Sequence, residues 1–124
     1  MTYLSHVLNV LSSIFKMELQ LQALLDAVAS PRRRAILLLV WDRELAAGDI
    51  AARMADISWP AVSQNLRVLC DAGLITQRKS GHFRLYHANP EAIGPLEPFL
   101  RAMWAADLEQ LRDVVERDQR ERGQ

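Results

Sequence analysis

The sequence predicts a mainly α-helical fold with one small β-hairpin. Apolar residues recur at helical spacing over most of the 124 residues, and only five Gly and five Pro interrupt them. Residues 74–87 change to the alternation of strands, and Ser80 and Gly81 supply a two-residue turn between them. The length suits a single domain. We therefore expect one α-rich domain in which a hairpin is followed by a last helix.

The elements are predicted in the order α-α-α-α-β-β-α, with an extra helix at the N-terminus. Residues 1–17 form this extension helix, and its apolar stripe consists of Tyr3, Leu4, Val7, Leu8, Leu11, Ile14 and Phe15. The stripe fits a docking helix, and it equally fits a dispensable extension upstream of a domain that starts near Met17. The other helices are predicted at 19–29, 31–41, 48–54, 59–72 and 90–117, and the strands at 74–79 and 82–87.

Local start and stop signals support the central helices. Ser30 and Ser58 stand where N-caps belong, and a proline lies in the first turn after each of them. Gly73 follows the second of these helices as a left-handed cap. The domain is predicted over residues 18–117, with a disordered tail at 118–124.

A short helix, a tight turn and a capped second helix define helix-turn-helix geometry. In such a fold the second helix enters the major groove of DNA, and the hairpin after it forms a wing. The sequence thus predicts a winged helix-turn-helix. The residues of the second helix that we expect to contact DNA are Ser58, Trp59, Ser63, Gln64, Asn65 and Arg67.

The sequence leaves more than one role open for several of these residues. Gln64 can pair with adenine and Arg67 with guanine, each through two hydrogen bonds. Ser58 fits capping as well as phosphate contact. Trp59 fits either a contact with DNA or packing on the core, and Asn65 fits either DNA or its own domain. For the whole set, the alternative is an ordinary solvated helix face.

Positive charge gathers where the wing is expected. Residues 58–88 hold four basic residues and one acid, a net charge of +3, although the whole chain is neutral. The wing residues that we expect to serve phosphate contact are Arg78, Lys79, His82 and Arg84. The three arginines at 32–34 are instead expected to form ion pairs within the protein.

Five stretches, taken together, resemble ArsR-type repressors. They are SPRRRAIL at 30–37, ELAAGDI at 44–50, SWPAVSQNLRVL at 58–69, CDAGLI at 70–75 and RKSGHFRLY at 78–86. The resemblance covers about residues 19–117. It implies a homodimer that binds double-stranded DNA at an inverted-repeat operator and represses transcription. The resemblance also implies that the first and last helices build the dimer, which points to Leu21, Leu25, Leu100, Met103, Trp104, Leu108 and Leu111.

Metal sensing is not expected. Metal-sensing members carry two cysteines before the recognition helix, where this chain has Ala46 and Gly48. Other members bind zinc on the last helix, which has no histidine here, so the thiolate or imidazole ligands that such ions prefer are missing. No cofactor is predicted. Cys70 is expected to be structural, because a helix C-terminus disfavours a thiolate, although a thiol sensor is the alternative.

The remaining predictions concern partners and location. No apolar run approaches the roughly 20 residues that span a bilayer, and a lone cysteine fits a reducing cytoplasm. An enzyme is not expected, since no phosphate loop or nucleophile–base pair is recognisable. Two alternatives to the repressor stay open. One is a winged-helix module that binds protein, and the other is a repressor released by an unidentified apolar small molecule.

Overall fold

The computed structural model describes residues 2–123, and the side chains of residues 108–111 and 113 lie outside that description. Over this range the chain forms helices, a three-stranded sheet and a 3-10 turn at Gly94–Leu96. In chain order the elements are α1 Thr2–Val28, α2 Pro31–Leu39, β1 Leu45–Ala46, α3 Ala47–Arg53, α4 Trp59–Asp71, β2 Ile75–Ser80, β3 Phe83–Ala88, α5 Pro90–Ile93, α6 Glu97–Ala106 and α7 Leu108–Arg122.

The core surrounds α2. Its Ile36, Leu37 and Leu39 are fully buried, because residues 35–39 are all apolar and α1, α4, α6 and α7 all pack on the helix. From α4 the buried side chains are Val62, Leu66 and Leu69. The indole rings of Trp41 and Trp104 also pack in this region as a T-shaped pair, with their centroids 5.3 Å apart.

Two arginines of α2 hold the end of α1. Arg33 donates hydrogen bonds to the carbonyls of Asp26 and Ala27, and Arg34 donates to the carbonyl of Val28 at 2.7 Å. Carbonyls at a helix C-terminus lack partners within the helix, and cations there oppose the helix dipole. Arg34 also forms a bidentate pair with Asp107 at 2.5 and 2.9 Å. The expectation that the arginines at 32–34 form ion pairs within the protein is met by Arg34 and by Arg32, which pairs with Asp56, whereas Arg33 binds backbone carbonyls.

The helix-turn-helix consists of α3, the turn at residues 54–58, and α4. Ser58 caps α4 by accepting a hydrogen bond from the Ala61 amide at 3.3 Å. Gly73 ends the helix with φ +79°, and the Leu74 amide donates to the Leu69 carbonyl as in a Schellman motif. Because these signals are local, the bounds of this helix could be predicted from the sequence to within one residue.

The sheet is antiparallel in the order β1-β3-β2. Its hairpin joins Ser80 to Phe83 through the loop Gly81–His82, one residue later than the sequence predicts. Gly81 has φ +61°, which suits the first loop position of a type II′ turn. Strand β1 was not predicted from the sequence, because a two-residue strand shows no periodicity.

The hairpin is tied to the helices at its base. The side-chain amide of Asn89 donates to the Gly73 carbonyl at 3.1 Å, and the backbone amide of Asn89 donates to the Leu74 carbonyl at 2.9 Å. The Ala88 amide donates to the Val40 carbonyl at 2.9 Å. Strand β3 is therefore held both to the end of α4 and to the end of α2.

The structure corrects the predicted N-terminal elements. The sequence suggests one helix over 1–17 and another over 19–29, but α1 runs without a break over its 27 residues from Thr2 to Val28. No Gly or Pro occurs in that range, so nothing in the backbone ends a helix near Met17.

The structure also corrects the last helix and the tail. The helix predicted at 90–117 is divided around the 3-10 turn, where Pro95 lies, and again at Asp107, whose carboxylate is engaged by Arg34. Residues 118–122 were expected to be disordered, yet they continue α7. Asp118 pairs with Arg43, and Arg122 forms a bidentate pair with Asp42 at 2.6 and 2.9 Å. Charges that look solvated in the sequence are paired across the fold.

Candidate nucleic-acid interface

Helix α4 presents a polar face to solvent. Ser63, Gln64 and Arg67 are exposed, while Val62, Leu66 and Leu69 are buried on the other side of the helix. Positions i, i+1 and i+4 lie on one side of a helix. No hydrogen bond or ion pair engages Gln64 or Arg67 within the described part of the chain.

The other predicted residues of α4 have different environments. Asn65 is half-buried and accepts a hydrogen bond from Arg33 at 3.3 Å, so it faces its own domain. Ser58 serves as the N-cap, and its side chain remains exposed. Trp59 is 55% exposed and does not fold back onto the core. An indole exposed to this extent at the start of the helix is available for contact with a ligand.

The strand register divides the basic residues of the wing between two faces. Lys79 lies directly opposite Arg84, and Gln77 lies opposite Tyr86. These four residues share one face of the hairpin, because side chains alternate along a strand. Arg78 belongs to the opposite face, and His82 is exposed in the hairpin loop.

A polar cleft of about 350 Å³ lies between α4 and the first of these faces. Arg67 borders it from the helix, and Gln77, Arg84 and Tyr86 border it from the wing. Arg84 donates to the Gln77 side chain at 3.2 Å. The cleft thus brings the predicted groove residue Arg67 and the predicted wing residue Arg84 to one surface. Gln77 and Tyr86 were not predicted as members of this site, although strand alternation places them beside Lys79 and Arg84.

The thiol of Cys70 also borders the cleft. Burial, and to a lesser extent the negative charge of Asp71, raise the pKa of Cys70 above its ordinary value. Burial raises the pKa of Tyr86 as well. A raised pKa keeps the thiol protonated at neutral pH, and this agrees with the structural role expected from the sequence.

Arg78 is engaged within the protein. It forms two hydrogen bonds with Glu44, at 2.6 and 2.8 Å, across the gap between the wing and the segment before β1. The hydrogen bond from Arg78 lowers the pKa of Glu44 and raises the pKa of Arg78. Glu44 was not identified as a partner in the sequence, because the two residues are 34 positions apart.

The predicted dimer residues fall into three groups. Leu21 and Leu25 of α1 are 51% and 40% exposed, and Met103 is half-buried. Leu100 is fully buried and Trp104 nearly so, with its indole donating to the Arg34 carbonyl at 2.9 Å. These two residues belong to the core of the single chain and offer no contact surface to a partner. Leu108 and Leu111 lie outside the described side chains.

Two features that are absent from the described residues bear on the kind of site. No helix there has the length and apolarity that a membrane crossing requires. Nor do three or more His, Cys, Asp or Glu side chains come together there as a metal would need. What the described surface does offer is a polar helix face beside a basic wing face.

A capped recognition helix with a polar outer face, beside a β-hairpin with a basic face, defines a winged helix-turn-helix protein. A helix-turn-helix domain family matches residues 28–78. The HTH-type transcriptional regulator Rv2034 of Mycobacterium tuberculosis is 37% identical over 83 residues, which cover 67% of this chain and 77% of the relative. The transcriptional repressor SdpR of Bacillus subtilis is 38% identical over 54% of this chain and 73% of its own.

A solved structure shows the same fold. It is the homodimeric winged helix-turn-helix DNA-binding domain of Mb0332 from Mycobacterium bovis, described as a possible ArsR-family transcriptional regulator. The two superpose with a TM-score of 0.63 at 26% identity, over 74% of this chain and 83% of that one. This chain belongs to the ArsR-type family of winged helix-turn-helix transcriptional regulators, and the resemblance seen in its sequence is confirmed.

Proposed function

We propose that the protein is a homodimeric repressor that binds an inverted-repeat operator. Helix α4 inserts its exposed face into the major groove, and Lys79 and Arg84 of the wing bind the phosphate backbone. One observation carries the proposal: Lys79 and Arg84 lie directly opposite each other, on the face that Arg67 also borders. Like charges placed opposite across two strands destabilise the free protein. A phosphate between them relieves that repulsion.

Base reading is assigned to α4. Gln64 offers the amide pair that matches adenine, and Arg67 offers the fork that matches guanine. Both are exposed and without partners in the described part of the chain, so neither has to leave an internal contact to reach DNA. Asn65 is assigned to holding Arg33 rather than to DNA.

The two-fold symmetry of a homodimer supports the inverted repeat. Two identical α4 helices related by a two-fold axis read the same bases on opposite strands, about one helical turn apart. The homodimeric domain of Mb0332 supports the dimer, and the name of SdpR supports repression. We place the protein in the cytoplasm, because its relatives are bacterial regulators and bacterial DNA lies in the cytoplasm.

Fluorescence anisotropy with the protein's own upstream DNA, against scrambled competitor, tests DNA recognition. We expect Gln64→Ala/Arg67→Ala to lose preference for the specific site, because each correct bidentate pair is worth about 1–3 kcal/mol. Arg101→Ala/Arg112→Ala is the matched control, since it removes exposed side chains from α6 and α7 instead. Equal binding to specific and scrambled DNA by the wild type contradicts the proposal and favours a protein-binding module. Specific binding that raises transcription from a reporter contradicts repression.

A second candidate adds release by a small apolar molecule. A groove of about 220 Å³ runs between α2 and α7, lined in part by Leu38, Trp41 and Val115. Pockets for such ligands usually measure about 300–1,000 Å³. The small volume disfavours this candidate, and a rise in melting temperature with a hydrophobic compound would revive it.

A further inference from the structure

The N-terminal part of α1 leaves the domain and carries large apolar side chains in solvent. Only the end of the helix packs on the core, where Ala27 and Val28 are buried and Leu24 is half-buried. Nearer the N-terminus Tyr3 is 80% exposed and Met17 is 67% exposed. Between residues 2 and 25 the only charged side chains are those of Lys16 and Glu18. Such a surface is unfavourable in water and calls for a partner.

The apolar residues follow a heptad repeat. With alternating steps of four and three, they give an unbroken seam at Tyr3, Val7, Val10, Ile14, Met17 and Leu21. The same alternation continues into Leu24 and Val28, so the seam runs directly into the core of the domain. A seam of this spacing is the surface on which two helices pack by knobs into holes. Leu4 and Leu11 flank the seam, and farther from it Leu8 and Phe15 lie beside polar residues that include Ser5 and Ser12.

The exposed area of α1 is large enough for a stable interface. The chain exposes 8284 Å², whereas a compact monomer of 14.1 kDa exposes roughly 6,700 Å². The surplus of roughly 1,600 Å² per chain includes every side of the protruding helix, and burial of about half of it would reach the ~800 Å² that each partner buries in a standard complex. The surplus arises from α1, because this helix of 27 residues is about 40 Å long and only its end packs on the domain.

We propose that residues 2–22 of α1 form a two-helix coiled coil with the same segment of a second copy, and that this seam supplies most of the stability of the dimer. The proposal rests on the homodimer of the proposed function but not on its DNA contacts. It gives the N-terminal extension a function that the helix-turn-helix itself does not require.

The chemistry of the segment favours a second copy over a membrane surface. Helices that lie on membranes carry many Lys and Arg on their polar face, where they meet anionic lipids. This helix has one lysine, balanced by Glu18 two residues later, and its polar side is rich in neutral serines. Identical seams also meet without charge conflict, because no seam position is charged.

The test compares two full-length variants by analytical ultracentrifugation at micromolar concentration. Val10→Glu/Ile14→Glu places charges in neighbouring layers of the seam. Ser5→Glu/Ser12→Glu adds the same charges to the opposite side. Val10 and Ile14 are 45% and 54% exposed in the single chain, so neither change disturbs the core of the domain. Circular dichroism and thermal unfolding of both variants check that the domain remains folded.

We expect the wild type and the serine variant to sediment as dimers. The seam variant should show a dimer dissociation constant raised at least roughly 100-fold, since four buried apolar side chains are lost per dimer. A monomeric wild type, or a seam variant that dimerises as well as the wild type, overturns the proposal. So does a wild type that floats with phospholipid vesicles while the seam variant does not. Failure of specific DNA binding with the dimer intact would overturn the proposed function alone.

Discussion

The arginines of α2 and the basic residues around α4 use the same chemistry for opposite purposes. Arg33 and Arg34 direct their guanidinium groups inward, to helix carbonyls and to the carboxylate of Asp107. Arg67 and Lys79 have no hydrogen-bond or ion-pair partner among the described residues. The side chain alone therefore does not reveal the role of an arginine. Its partners within the fold do, so loss of an inward arginine is expected to lower stability, and loss of an outward basic residue is expected to weaken DNA binding.

The largest effect is expected from Arg34→Ala. The change leaves the Asp107 carboxylate and the Val28 carbonyl without their donor, in a pair whose side chains are 7% and 12% exposed. Removing one partner of a buried pair costs about 3–5 kcal/mol of the free energy of unfolding, measurable by urea denaturation. The control Arg101→Ala breaks a surface pair with Glu97 and should cost less than about 1 kcal/mol. A loss for Arg34→Ala that is as small as the loss for Arg101→Ala would show that Arg34 does not stabilise the fold.

An intermediate effect, confined to DNA binding, is expected from Lys79→Ala/Arg84→Ala. The free energy of unfolding should be unchanged or slightly higher, because the change removes two like charges that face each other. Two phosphate contacts are lost per protomer and four per dimer, so the slope of log affinity against log salt should become shallower by about 4. Anisotropy titrations at four salt concentrations measure the slope. An unchanged slope would mean that Lys79 and Arg84 do not contact DNA phosphates.

The smallest effect is expected from Glu44→Gln, which releases Arg78 from its partner. Arg78 lies on the opposite face of the hairpin from Lys79, so its release should steepen the salt slope by no more than about one unit per protomer. Arg78 lowers the pKa of Glu44, so the pair contributes to stability above the ordinary value of 4.5 and this contribution is lost as the pH falls below it. Glu91→Gln, an exposed change on α5, is the control. Equal gains in both variants would mean that only net charge matters.

The sequence predicted the recognition helix and the hairpin because their signals are local. Ser58, the proline after it and Gly73 act within a few residues of the backbone that they fix. The exposed face of α4 followed from helical periodicity, which also placed Gln64 and Arg67 correctly on it.

Features made by distant residues could not be predicted. The break at Asp107 depends on Arg34, 73 positions away, and the engagement of Arg78 depends on Glu44. The helical end of α7 depends on pairs such as that of Asp42 with Arg122, 80 positions apart. Leu100 and Trp104 were placed at a dimer surface because an apolar stripe does not say whether its partner is the same chain or another.

The hydrogen bonds at the base of the hairpin have a consequence for the operator. Asn89 joins the wing to Gly73, the cap of α4, so the two elements that we propose as the DNA interface are held together. In the proposed complex, the distance between the bases that contact α4 and the phosphates that contact the wing is then set by the protein. An operator half-site cannot gain or lose a base pair within that span and keep both contacts.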